Sequence, residues 1–416
     1  MRSRPLVFLA LLLPLLLAPA LAPRAAGAAA PPSTVAGGLR VMHTARYRVH
    51  TDLEYALAED LGRRMDAMYD EYARRLSNFD APRSGSKFDV YLFARRKDYL
   101  KFVGPGMANT FGVTVPDLNI VASFLEEQGR DNLRATLKHE AFHQFAHSVI
   151  HKNLPPWLDE GMAVMFQEGI WTGRSFRLGQ VPPRRVRQLR HDIANGRVVD
   201  FRQMMTLPLE QWNAATERDR FAGGRNYNQS WAMCHFLVYA GEDGKPKYRA
   251  RFLDMLKRIQ NGTDASEAFK QAFSPNVEGF QAKFTQWAST LSATPDATLI
   301  ERQNILADVL AMASKRGRRF DAVAEFRDAM VRTGWQGTYS NGDLEWETDP
   351  NPRVYFRALD GRDYARDEFY FDLRPGAPLP DVVLNSPGQI RLRTVFHDKP
   401  GGGGIEHEVL VEGAAR

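Results

Sequence analysis

Two histidines and two glutamates set the chemistry this chain can do. In the run His139-Glu140-Ala141-Phe142-His143 the histidines stand four residues apart. On a helix that spacing stacks both imidazoles on one face, where they can hold one metal ion. Glu140 leaves from one position further on, placed to reach a water rather than the ion. Zinc makes its water far more acidic, and a nearby carboxylate can take the proton as that water attacks a carbonyl. A catalytic zinc site takes three protein ligands and keeps one position for water. Glu160, with sixteen residues between it and His143, supplies the third.

The elements around these residues fit that reading. Leu133, Leu137, Ala141, Phe142, Phe145 and Val149 have helical apolar spacing, with Asp131 as the expected N-cap. Pro155 and Pro156 suit the start of a second helix, Trp157 to Gln167, with Glu160 one turn in. His147 and His151 continue the stripe of His139 and His143. All four cannot share an ion, because the outer pair is about 18 Å apart along a helix. The rival pair His143/His147 has Gln144 where the base should stand, and Gln cannot take a proton. His147 and His151 are therefore expected to face solvent or to be hydrogen-bonded near the helix end.

Together, H-E-A-F-H and the following P-P-W-L-D-E-G-M-A resemble the gluzincin peptidases, whose third ligand is a glutamate on the next helix. They are most similar to the peptidase-MA-like families, largely bacterial and exported, which carry a W-L-x-E-G-x-A block. The resemblance implies a thermolysin-like catalytic fold with one zinc per chain on His139, His143 and Glu160. Tyr227-Asn228-Gln229-Ser230-Trp231-Ala232 is similar to a Y-x-x-S-W-A segment that follows the zinc helices in these families. One departure stands out. Thermolysin has an aspartate four residues after its ligand glutamate, bonded to a zinc histidine; here that place is Val164. Asp159, another acid or a backbone carbonyl is left to orient the imidazole. The resemblance covers roughly residues 40 to 290 and does not extend into the C-terminal part.

Residues 1–28 read as a secretory signal. Arg2 and Arg4 precede the apolar run Leu6 to Leu17, and Ala26-Gly27-Ala28 offers a small-residue cleavage site. The apolar run is short of the about 20 residues a spanning helix needs, so an uncleaved anchor is the lesser alternative. No other stretch is apolar enough to span a membrane. Cleavage would remove Arg2, Arg4 and Arg24 and no acid, taking the net charge from +6 to +3. A charge that small gives no reason to expect nucleic acid. Cys234 is the only cysteine, so the exported chain, periplasmic or extracellular, must be held by its core rather than by an internal disulfide.

After a linker at 29–39, residues 40–292 are expected to form the catalytic domain. Val41 to Thr51, Phe88 to Phe93 and Asn119 to Phe124 read as strands, and Leu53 to Leu76 and Arg96 to Phe102 as helices. Asn119 to Phe124 is the candidate edge strand for an extended substrate; an ordinary internal strand is the alternative. Helices are expected near 183–195, 226–240, 245–259, 264–273 and 276–291. Arg184, Arg185, Arg187 and Arg190 form a basic cluster that reads as a solvated helix face or an anion site. Tyr227 could donate to a developing oxyanion, or be a packed core residue. His235, inside an apolar run, reads as a core histidine.

Residues 293–416 read as an accessory unit: a helical hairpin at Ala297–Lys315 and Phe320–Val331, then strands including Ile390–Phe396 and Ile405–Val411. His397 and His407 read there as surface residues. The expected class is thus α+β, with a small N-terminal sheet, a metal helix, a helical lobe and a C-terminal helical-hairpin and β-rich region. The leading function is an exported zinc metallopeptidase with a peptide or protein substrate. A binding protein for peptide or wall polymer on the same scaffold, and a zinc hydrolase of a non-peptide amide, are the alternatives. Loss of Glu140 or of a ligand would mark the binding protein, and neither is lost.

Overall fold

The computed structural model describes residues 10–11, 38–79, 87–150, 154–218, 220–242, 245–341, 344–399 and 404–414. Most of the expected signal and linker, and His151, lie outside these residues. Ala10–Leu11 pairs in parallel with Tyr339–Ser340. No helix among the described residues is long and apolar enough to cross a membrane.

The N-terminal sheet has five strands: β1 (Arg40–His43), β2 (Tyr47–Thr51), β3 (Phe88–Phe93), β4 (Gly112–Val115) and β5 (Ile120–Phe124). Their order is β1-β2-β3-β5-β4, with β2, β3 and β5 parallel and the two outer strands antiparallel. Two expectations are corrected here. The stretch 41–51 is a hairpin rather than one strand, because Asp66 gathers Thr44, Ala45 and Arg46 into a turn. The stretch 119–124 is internal, and β4, which the sequence reading missed, stands at the edge. Only four residues long and beginning with a glycine, β4 offers too short an alternation to be read.

Helix α1 (Tyr55–Arg75) lays Leu57, Leu61, Met65, Met68 and Tyr72 against the sheet and the helix that carries His139. After α2 (Arg96–Val103) come α3 (Gly129–Val149) and α4 (Pro156–Gln167). Every residue of α4 is buried, which explains its almost wholly apolar sequence around Asp159 and Glu160. Five of the following helices match the expected segments: α5 (Pro183–Ala194), then, past α6 (Phe201–Thr206) and α7 (Leu209–Arg218), α8 (Arg220–Tyr239), α9 (Arg249–Gln260), α10 (Ala265–Ala272) and α11 (Val277–Thr290).

The C-terminal unit has its own core of Leu306, Leu310, Phe326, Val382, Leu392 and Phe396. Helices α12 (Pro295–Lys315) and α13 (Val323–Arg332) pack with an antiparallel sheet of β6 (Phe369–Asp372), β7 (Asp381–Leu384), β8 (Ile390–Asp398) and β9 (Ile405–Ala414). This unit is clamped to α3. Arg134 joins Asp60 and Asp131 to Glu408 on β9, and the Val409 amide donates to Asp131 (3.1 Å). Asp131 is therefore not the N-cap of α3; Gln128 takes that place. The molecule is α+β, with a small sheet first, helices in the middle and a β-rich C-terminal region.

Candidate metal centre

Helix α3 is fixed before any ligand is considered. Leu133, Leu137, Phe142 and Phe145 anchor it in the core, and the Tyr72 hydroxyl donates to the Lys138 carbonyl (2.5 Å). That leaves His139 and His143 facing α4 and Glu140 facing β4. The approach of β4 is close: a β-carbon on Gly112 would lie 2.5 Å from Thr136 and 3.0 Å from the Glu140 side chain.

His139, His143 and Glu160 converge. Nε2 of His139 lies 3.0 Å from Nε2 of His143 and 3.0 Å from Oε2 of Glu160; His143 Nε2 is 3.5 Å from the same oxygen. Ligand atoms about 2.0–2.1 Å from a tetrahedral ion stand about 3.3 Å apart, so the set has the right size. The far sides of the rings fix the tautomers. Nδ1 of His139 donates to Gln167 Oε1 (3.2 Å), and Nδ1 of His143 donates to Asp159 Oδ1 (3.0 Å). With the protons on Nδ1, both Nε2 lone pairs face each other and a carboxylate. A proton on one Nε2, or a metal ion between them, relieves that arrangement. These buried residues could hold a metal ion.

The electrostatics agree. Burial pushes the His143 imidazolium down, but Asp159 and Glu160 outweigh it and hold His143 well above the usual histidine range. Burial likewise works against Asp159 and Glu160 as anions, yet the facing histidines keep both below the usual carboxylate range. Two carboxylates thus create a demand for positive charge between them.

Glu140 stands apart from the ligands, as its place in the sequence predicts. The Thr114 hydroxyl lies 2.8 Å from its Oε2 and 2.8 Å from its main-chain carbonyl. Oε1 is buried and makes no hydrogen bond. Burial raises the Glu140 carboxyl, and the two histidines only partly offset it. Tyr227, on α8, is both packed and facing the centre. Its ring sits edge-on to Trp212 (5.3 Å between centroids) and 6.4 Å from that of His139. Its buried hydroxyl faces Glu160 and Trp212, and burial holds it protonated.

His147 joins a different partner: its Nε2 lies 3.3 Å from Asp159 Oδ2. It is thus hydrogen-bonded, one of the two places expected for it. His143, His147 and Asp159 are also close enough together to hold an ion, but that group has Gln144 beside it. His235 is a core histidine, bonded to the Gly179 carbonyl (3.3 Å) and pushed down to about 4 by burial. His397 and His407 pair with Glu408 and Asn304. The arginine cluster is not simply solvated: Arg184 and Arg185 bind Glu168, Arg187 binds Glu301, and Arg190 reaches the Leu291 carbonyl.

Asp159 takes the orienting part that Val164 cannot. Gln167, Thr114 and Trp212 were missed in the sequence. Gln167 lies seven residues after Glu160, two turns along the same face, and that spacing was a usable signal. Thr114 and Trp212 come from elements with no motif of their own.

A family described as "Protein of unknown function (DUF1570)" matches residues 133–252. The matched span begins in α3, takes in both ligand helices and Tyr227, and ends in α9. It omits the N-terminal sheet and the C-terminal unit. No curated protein matches the chain.

Proposed function

We propose that this protein is an exported zinc-dependent metallopeptidase that hydrolyses peptide bonds, with His139, His143 and Glu160 holding the ion. The observation that carries this reading is the pairing of a convergent His/His/Glu set with a buried carboxylate oxygen, Glu140 Oε1, that has no partner. Zinc, when bound there, would acidify a water and polarise the scissile carbonyl.

The chain's own groups supply the rest. Thr114 holds one oxygen of Glu140 and leaves Oε1 to accept a proton from the attacking water. A carboxylate raised by burial is a better base than an ordinary glutamate. The same proton can then pass to the amide nitrogen as the C–N bond breaks, which returns Glu140 to its starting state. Asp159 and Gln167 keep the two imidazoles turned with Nε2 inward. The Tyr227 hydroxyl, kept protonated by burial, can donate to the oxygen that gains charge. An extended peptide would add to the open side of β4, gaining main-chain hydrogen bonds beside Glu140.

The test is metal analysis together with a peptide-library digest, comparing wild type with Glu140→Gln. One zinc per chain in both proteins and cleavage by wild type alone is the expected result. Equal cleavage by the two proteins would remove the mechanism. N-terminal sequencing of the native protein should begin near Ala29; an intact Met1 on a membrane-bound form would remove the export reading.

A further inference from the structure

Beside the centre lies a cavity of about 640 Å³, within the size range of small-molecule and peptide subsites. Tyr227 and Gln167 line it on the side of the centre, and α12 of the C-terminal unit lines it opposite. Its charged walls sort into two kinds. Arg187 is matched by Glu301 through two bonds of 2.9 Å, and Arg134 is matched by Asp60, Asp131 and Glu408. These pairs are balanced within the protein.

The wall next to the centre is not balanced. Arg184 and Arg185 both bind the buried carboxylate of Glu168, at 2.5–2.7 Å. Lys138 lines the same wall, yet its ammonium donates to a neutral group, the Gly169 carbonyl (2.6 Å), over the face of Phe176. Among the described residues no carboxylate forms an ion pair with Lys138. Among the described residues, the carboxylate bonded by this trio of cations is Glu168 alone, on a wall that also carries Trp171 and Phe176. A surplus of positive charge in a partly apolar cavity is costly unless an anion completes it. The cluster is also tied to the centre through the chain. Lys138 precedes His139 on α3, and Glu168 follows Gln167, whose side chain holds His139.

We propose that this cavity is a substrate subsite for a carboxylate, bound by Lys138 and Arg184, which gives the protein a preference for acidic peptides. The proposal rests on the peptidase reading for its substrate but not for its test. An ammonium and a guanidinium offer a carboxylate charge-assisted hydrogen bonds that an amide of the same shape does not match. The carboxylate can belong to an acidic side chain or to a free peptide C-terminus, and both offer the same two oxygens.

Binding distinguishes these sources. The probes are three fluorescein-labelled randomised heptapeptide sets: an amide with Glu fixed at the centre, the same amide with Gln, and the Gln set with a free C-terminal acid. Anisotropy is read on zinc-loaded Glu140→Gln protein. The Glu set, the free-acid set or both should bind about tenfold more tightly than the Gln amide, with the gain shrinking in high salt. The set that gains identifies the source. Adding Lys138→Met or Arg184→Gln should bring the ratio close to one. Two variants are used because Lys138 is half-buried, whereas the Arg184 side chain is 41% exposed and Arg185 keeps Glu168 paired when it is lost. Equal binding of all three sets, binding of none, or a ratio unchanged in a folded variant would each overturn the proposal. Cleavage of the same sets by wild type is scored separately. Its absence would remove the peptidase reading and leave the binding ratio to decide the subsite.

Discussion

Gly161 and Ser230 meet backbone to backbone: a β-carbon on Gly161 would stand 2.5 Å from the Ser230 carbonyl oxygen and 2.6 Å from Cys234 Sγ. The glycine of the W-L-D-E-G block and the serine of the Y-N-Q-S-W-A segment are therefore two sides of one helix crossing. That crossing sets how far Glu160, on α4, lies from Tyr227, on α8. Gly161→Ala should push the helices apart and cost about 1–3 kcal/mol of stability, as overpacking does. Chemical denaturation would measure the loss. A variant as stable as wild type would mean that the crossing gives way freely.

Asp159 grips two histidines with its two oxygens, His143 at 3.0 Å and His147 at 3.3 Å. Asp159→Asn should weaken metal binding by about 10–100-fold, since an amide cannot match the carboxylate in fixing the ring. His139→Ala, His143→Ala and Glu160→Ala should each lose the ion, and His147→Ala should keep it. Competition against a chromogenic chelator reads all five. An empty site in His147→Ala beside a full one in His139→Ala would shift the centre to the other cluster.

Much of this centre was legible because its spacing lies within single helices. His139, Glu140 and His143 occupy one turn of α3, and Glu160 sits one turn into a helix whose proline start is written in the chain. Asp159 was among the candidates for the same reason. Thr114 was not, because its meeting with Glu140 depends on β4 folding back along β5. Nor was the edge position of β4, since strand order is set by long-range pairing that local alternation does not record. The helix at Phe201–Thr206 is short, and Asp200 caps it by accepting from the Arg202 and Gln203 amides (2.8 and 3.3 Å). Its cap was readable and its period was not.

Tyr227→Phe separates the two roles open to that residue. Removal of an oxyanion donor should lower kcat by about 10²–10³ and leave KM nearly unchanged. The ring would still pack on Trp212, so folding should survive. A kcat within about twofold of wild type would assign Tyr227 to packing alone.

Acid should loosen the C-terminal unit. Burial works against ionised Glu408, but His397 and Arg134 bring it down to about 2 from an ordinary 4.5. Its folded pKa is depressed, so the contribution is present above about pH 4.5 and is lost as pH falls through 2. The shift corresponds to on the order of 3 kcal/mol. Glu408→Gln should be less stable than wild type at pH 6, and the gap should narrow steadily below pH 4.5. Urea unfolding at pH 6 and pH 3 measures both. A gap independent of pH would show that the lost shape matters and not the charge.

His139, Glu140 and His143 are 0% exposed and Glu160 is 4% exposed. Ligand atoms buried this deeply are shielded from competing water, so an ion held there should leave slowly. Its occupancy should then record the medium in which the chain folded more than the medium in which it is later found.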